Sequence, residues 1–176
     1  MPIEFVKGDL LATPGLTAIA HGCNCAGAMG KGIAKDIRNR WPRMYDEYRR
    51  RCKNGHFVLG DVFVWEEEGI VIFNLGTQRS WKTNAELPAI RKSLQTTVGL
   101  AKERGLDAIG LPKIGAGLGG LEWQEVKKFL QQLGDSTTVR LVVFEEYESG
   151  MAASFHAPEP NRNNETNDEH SRPSTS

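Results

Sequence analysis

The chain has 176 residues, and its charges cancel, 22 Lys and Arg against 22 Asp and Glu. That length suits one domain with room for an appendage, and the neutral balance excludes an overall field that would draw the chain to nucleic acid or an anionic surface. No apolar run approaches the roughly 18 residues of a membrane-spanning helix, so no membrane partner is expected. The residues after Met1 lack the basic region and apolar stretch of a secretory leader. Three cysteines, Cys23, Cys25 and Cys52, are an odd number for a chain of this size. They predict reduced thiols in a cytoplasmic setting. The Cys23-x-Cys25 spacing fits neither a redox pair nor, without a second Cys/His pair, a zinc site. The expectation is a cytoplasmic monomer with no metal and no cofactor.

In chain order, short β-branched runs bounded by Gly, Pro or charge predict strands at 3–6, 17–21, 61–65, 70–75, 107–111 and 139–144. A helical stripe begins near Lys31 with Ile33, Ala34, Ile37 and Trp41. Pro42 then either kinks that helix or opens a second one as its first residue, and Met44, Tyr45, Tyr48 and Cys52 carry the new stripe. Glu66-Glu67-Glu68-Gly69 reads as a hairpin turn. Leu87, Ile90, Leu94, Val98 and Ala101 predict the next helix, stopped by Gly105. Trp123, Val126, Phe129, Leu130 and Leu133 predict the last, ended by Gly134. From about residue 149 to 176 the composition turns to Ala, Ser, Pro, Asn, Glu and Thr, with no large apolar residue after Phe155. A segment of that kind cannot bury enough surface to offset its ordering entropy. The chain therefore divides into a folded domain over 1–148 and a disordered tail over 149–176.

The order β-β-α-β-β-α-β-α-β contains strand–helix–strand units, which demand parallel neighbours. The expected fold is α/β, a mixed and mainly parallel sheet between two helical layers. Ligands of such sheets lie at the carboxyl ends of the strands. Two glycine-rich segments fall there, each running into a helical pattern. The first runs from His21-Gly22-Cys23-Asn24-Cys25 through Gly30-Lys31-Gly32-Ile33-Ala34, and the second is Leu111-Pro112-Lys113-Ile114-Gly115-Ala116-Gly117-Leu118-Gly119-Gly120-Leu121. Glycine loops that open helices present unpaired N–H groups to anions. Two in one small domain point to a diphosphate held between them. Neither is a Rossmann fingerprint or a Walker loop.

Taken together, Val6-Lys7-Gly8-Asp9-Leu10, His21-Gly22-Cys23-Asn24, Gly30-Lys31-Gly32-Ile33-Ala34 and Pro112-x-Ile114-Gly115-x-Gly117-Leu118 before Leu121-x-Trp123 resemble a macrodomain, the ADP-ribose-binding module. The resemblance covers residues 2 to about 147 and implies a three-layer α/β/α fold. The His-x-Cys-Asn-Cys run is similar to that of yeast-type ADP-ribose 1″-phosphate phosphatases. Met-Gly-x-Gly-Ile-Ala and the Gly-x-Gly-Leu…Leu-x-Trp ending are similar to those of ADP-ribosyl hydrolases and of antitoxin macrodomains acting on ADP-ribosylated DNA.

The resemblance implies that Asp9 accepts from the adenine amine, with the Leu10 N–H beside it, and that Asn24 binds the distal ribose. It further implies that Gly30, Lys31, Gly32 and Ile33, and Gly115, Ala116, Gly117, Leu118 and Gly119, hold the diphosphate through main-chain N–H groups. It points to ADP-ribose or its 1″-phosphate as the small-molecule partner, or to ADP-ribosylated nucleic acid or protein. His21 becomes the candidate catalytic residue, as a base on water or a nucleophile toward a 1″-phosphate. The hydrolase branch carries a lysine after the threonine of the loop following the fourth strand, where this chain has Gln78. Some of its members carry an aspartate where this chain has Gly119. Both departures weigh toward the phosphatase reading over a de-ADP-ribosylating one, and they are compatible with a non-catalytic reader of ADP-ribose.

Overall fold

A computed structural model describes residues 3–155. Strand β1 spans Ile3–Gly8 and is followed by a 3-10 turn, Leu10–Ala12. Strand β2, Ala18–Asn24, leads to helices α1, Gly32–Arg40, and α2, Pro42–Lys53. The hairpin of β3, Val62–Glu67, and β4, Ile70–Gln78, precedes α3, Leu87–Glu103. Strand β5, Ala108–Leu111, helix α4, Trp123–Asp135, and strand β6, Arg140–Tyr147, complete the chain.

The six strands form one sheet in the order β1-β6-β5-β2-β4-β3. Every pairing is parallel except β3 with β4. The acidic turn is the expected hairpin tip: Glu68 and Gly69 have φ of 52° and 76°, the positive pair of a two-residue turn whose twist matches the strands. Pro42 starts α2 instead of kinking α1. Its ring fixes φ for a first helical turn and its missing N–H costs nothing there. Trp41 forms the joint, with φ −125° and ψ 70°.

Alternate residues of the inner strands face opposite layers. Ala18, Ala20, Val71, Phe73, Leu75, Leu141 and Val143 pack against Ile90, Leu94 and Val98 of α3 and Val126 and Leu130 of α4. Ile19, Cys23, Ile72, Val142 and Phe144 pack against Ile37 of α1 and Met44 and Tyr48 of α2. The sheet is thus covered on both faces, the condition under which parallel strands are stable. This is the expected three-layer α/β/α arrangement.

The strands run further toward their carboxyl ends than their apolar runs indicate. Strand β2 continues to Asn24 and β4 to Gln78 because the two stay paired through Cys23↔Gly76 and Asn24↔Gln78. After β6, residues 149–155, placed by composition in the tail, lie against the body. Glu148 N–H donates to Gly8 O at 3.1 Å and Asp9 N–H to Met151 O at 2.6 Å, and Ala153 N–H donates to Thr13 Oγ1 at 3.1 Å. Ala153 and Phe155 pack on the cluster under α1 and α2. The remainder of the expected tail, 156–176, lies outside the described residues.

Candidate functional site

The loops singled out in the sequence leave the carboxyl ends of neighbouring strands. Position 22 on β2 faces Thr77 Oγ1 of β4 and Ile114 Cγ2 after β5, since a Cβ built there would lie 2.8 and 3.6 Å from them. The first loop is built around Asn24. Its Oδ1 accepts from Ala26 N–H at 3.1 Å and Ala28 N–H at 3.2 Å, and its Nδ2 donates to Ala28 O at 2.7 Å. The buried Tyr48 hydroxyl reaches up from α2 to Asn24 O at 2.6 Å and Oδ1 at 3.0 Å. Asn24 is therefore chiefly the frame of its loop. Only one amide N–H is left over for a sugar.

Beyond that frame the chain opens out. A Cβ at Gly30 or Gly32 would meet nothing within 4 Å, and Gly32 has φ +58°. Helix α1 begins at Gly32 with no side-chain cap, so its first N–H groups are unclaimed. The loop after β5 behaves likewise. Leu121 N–H donates to Gly115 O at 2.9 Å and Ala85 N–H to Gly119 O at 2.8 Å. Among the described residues, however, the N–H groups of Gly115, Gly117, Leu118 and Gly119 have no acceptor. Gly117 borders open space, and Leu118 is exposed beside it. Two runs of unpaired amides at the ends of adjacent strands are suited to anions without any side-chain cation. Lys31 and Lys113, which belong to these loops, are exposed.

Asp9 lies at the carboxyl end of β1. Its Oδ1 accepts from Leu11 N–H at 2.9 Å, capping the 3-10 turn, and its Oδ2 accepts from Gly150 N–H at 2.9 Å. Leu10 is buried, so only its main chain is available there. From β1 across β6, β5 and β2 to β4 is four strand spacings, about 19 Å at the usual separation. Asp9, the two amide runs and the β4 loop thus follow one another along the sheet edge.

The loop after β4 is shaped by Gln78. Its Nε2 donates to Ser80 O at 2.9 Å and Thr83 O at 3.2 Å, so position 78 has a structural task. Arg79 pairs with Glu86 at 3.3 Å. Position 119 is constrained as well, because a Cβ there would lie 2.6 Å from Gly115 O and 2.9 Å from Ala85 Cβ. An aspartate cannot enter without displacing both loops.

His21 is where the expectation fails. The ring is fully buried on the α1/α2 face of β2, with 0% exposure. Nε2 lies 2.7 Å from Oδ1 of Asn74, its cross-strand partner, and Asn74 Nδ2 donates to Phe63 O on β3 at 3.1 Å. That orientation of the amide puts the imidazole proton on Nε2. Cys23 Sγ lies beside the ring, 3.5 Å from Nε2 and 3.8 Å from Nδ1, the remaining lone pair. Burial pushes the ring's pKa down to about 4, against the opposing pull of Asn74. A base or nucleophile must present a face to water or substrate, and this ring has no exposed surface. It ties three strands together beneath the loops. The sequence signal that misleads is its position, at a strand end beside a glycine, which says nothing of the face it points to.

The nearby thiols are not nucleophiles either. Burial pushes Cys23 well up and Cys25 to about 12, so both stay protonated at neutral pH. Among the described residues no group of three metal-ligating side chains is present. A concavity lined by Gln95, Gly99, Lys102, Asp135 and Thr137 lies between α3 and α4 at the opposite end of the sheet, away from all of these loops.

The family model of the macro domain matches residues 20–130. The chain belongs to the macro domain family. This macrodomain is 32% identical over 158 residues to a DNA ADP-ribosyl glycohydrolase of Thermus aquaticus, a match covering 87% of this chain and 44% of that protein. It thus spans less than half the length of that relative. It is 32% identical over 146 residues to an ADP-ribose 1″-phosphate phosphatase of Candida albicans, covering 74% of this chain and 92% of the phosphatase. Among solved structures it superposes on the macrodomain of Thermus aquaticus DarG with a TM-score of 0.74 and 32% identity, covering 81% of this chain and 97% of that one. The relatives are named for hydrolytic activities of two kinds, phosphate-ester and glycosidic.

Proposed function

We propose that this macrodomain binds ADP-ribose along the carboxyl edge of its sheet and removes the phosphate from ADP-ribose 1″-phosphate. The carrying observation is the double run of unpaired amides, at Gly30–Ile33 and at Gly115, Gly117, Leu118 and Gly119, between the Asp9 carboxylate and the β4 loop. A ligand with a purine, a central diphosphate and a distal ribose presents its groups in that order. Asp9 would accept from the adenine amine, the amides would hold the diphosphate, and the leftover N–H of Asn24 would meet the distal ribose.

The reaction transfers the phosphoryl group to water. The water oxygen bonds to phosphorus, the bond from phosphorus to the ribose oxygen breaks, and a proton given up by the water passes to that oxygen, giving ADP-ribose and inorganic phosphate. Oriented amides can stabilise charge that develops on the phosphoryl oxygens. His21 serves this by holding β2 to β4, not by proton transfer. The phosphatase reading is favoured by the match over nearly the full length of the Candida relative. It is also favoured by the structural tasks of Gln78 and Gly119, the positions where the hydrolase branch carries Lys and Asp. We place the protein in a reducing cytoplasm, on the strength of its three free cysteines.

A second reading, removal of ADP-ribose from DNA, is favoured by the Thermus aquaticus relative and its macrodomain structure. Product identity separates the two. With purified protein, ADP-ribose 1″-phosphate should yield phosphate, and ADP-ribosylated single-stranded DNA should stay intact. Free ADP-ribose from the DNA with no phosphate from the ester would replace the first reading with the second. Neither product, with ADP-ribose still bound, would make the domain a reader.

A further inference from the structure

Residues 149–155 lie outside the stretch matched by the family model, which ends at 130, yet they bond to Asp9 through both its carboxylate and its main chain. Gly150 N–H donates to Asp9 Oδ2 at 2.9 Å, and Asp9 N–H donates to Met151 O at 2.6 Å. The next anchor is Ala153 N–H on Thr13 Oγ1 at 3.1 Å, and that hydroxyl itself donates to Asp9 O at 2.8 Å. The sequence is shaped to admit this strap. A Cβ at Gly8 would lie 2.8 Å from Met151 O, and Gly150 has φ +73°, a conformation side chains rarely adopt. Tyr147, paired with Gly8, and Met151 are exposed large apolar side chains at the Asp9 end of the sheet edge. An apolar flank beside an acceptor edge is what a purine requires.

We propose that the strap of residues 149–155 is a built part of the nucleobase subsite, with Gly150 and Met151 as positioning residues for Asp9. This rests on the reading of the cleft given above. The carboxylate is gripped once on each oxygen, by Leu11 N–H and by Gly150 N–H. It cannot swing away, and each oxygen keeps one lone-pair direction free. A carboxylate fixed in this way accepts from an exocyclic amine and repels a carbonyl oxygen at the same place. The strap therefore sets discrimination between adenine and hypoxanthine as well as affinity.

The test uses the full chain and the variant Gly150→Pro, which removes the donated N–H and cannot adopt positive φ. Ala153→Pro, which removes the outer anchor, is the second variant. Calorimetry measures binding of ADP-ribose and of inosine diphosphate ribose, whose base carries a carbonyl where adenine has its amine. Wild type should prefer ADP-ribose. Gly150→Pro should lose about tenfold in ADP-ribose affinity, the cost of releasing one hydrogen bond to a charged group. Its affinity for the inosine analogue should stay within twofold, so the preference collapses. Ala153→Pro should move in the same direction by less. Unchanged preference in a variant that still binds ADP-ribose overturns the strap's role. Tighter ADP-ribose binding also overturns it, because the strap would then be blocking the subsite. Absence of ADP-ribose binding by wild type overturns the reading of the cleft, and the strap's role with it.

Discussion

Substituting His21 by glutamine tests the burial of the imidazole most sharply. The ring is held neutral inside the sheet, its pKa lowered to about 4 from 6.5 by burial. In the unfolded chain it titrates at its ordinary value. The folded pKa is the lower of the two, so the associated stability is complete above pH 6.5 and is lost as pH falls toward 4. At pH 5 the unfolded ring is almost fully protonated and the folded ring almost fully neutral. The penalty relative to pH 7 is then about 2 kcal/mol, rising to about 3 kcal/mol below pH 4. The amide of H21Q does not titrate, and it can still donate to Asn74 Oδ1. Urea unfolding of both proteins at pH 7 and pH 5 isolates the effect, because every other titrating group is common to the two. Wild type should lose about 2 kcal/mol more than H21Q on acidification. The variant is expected to start from a lower stability at pH 7, since it packs less well, and that offset drops out of the comparison. Equal losses, or an NMR titration of the His21 ring near pH 6.5, would refute the burial argument and return the ring to the list of reactive groups.

Three further outcomes follow from the geometry of the loops. Asp9→Ala removes the acceptor at the nucleobase end and should weaken ADP-ribose binding at least about tenfold; an unaltered calorimetric isotherm would sink the adenine assignment. Tyr48→Phe deletes the hydroxyl that holds Asn24 O and Oδ1. It should lower stability by about 1–2 kcal/mol in urea unfolding, and a denaturation midpoint equal to that of wild type would show that the loop stands without it. Gly119→Asp forces a Cβ to within 2.6 Å of Gly115 O. It should cost about 1–3 kcal/mol through overpacking and create no DNA-directed hydrolase, so a variant with wild-type melting behaviour would contradict the packing described at that loop.

Much of this fold can be read from the chain by eye. Short β-branched runs in β2 and β4, helical spacing in α3 and α4, and Gly105 and Gly134 at or near the helix ends all translate directly into elements. The amide-rich loops are also legible, because glycines at Gly30, Gly32 and Gly117 leave space that a side chain would fill. Side-chain direction is harder to see. His21 and Asn24 are three residues apart at the end of one strand, and the chain does not announce that Asn74 and Tyr48, 53 and 24 residues further on, will claim them. Long-range polar pairing of this kind has no local signature. The strap was hidden for a different reason. Its composition is polar and small, while its attachment runs through main-chain N–H and C=O groups that any sequence carries. Only the two glycines at Gly8 and Gly150 betray it, and singly they look like ordinary turns.

The proposed function requires a diphosphate lying against the amides of the two loops. Calorimetric titration with ADP-ribose of the wild-type chain beside Gly117→Glu tests this most directly. Gly117 borders open space, so the glutamate can be accommodated in the fold while its carboxylate occupies the anion site. One-to-one binding by wild type and none by a variant with an unchanged melting temperature is the predicted result. Equal binding by both proteins would put the diphosphate elsewhere and contradict the account.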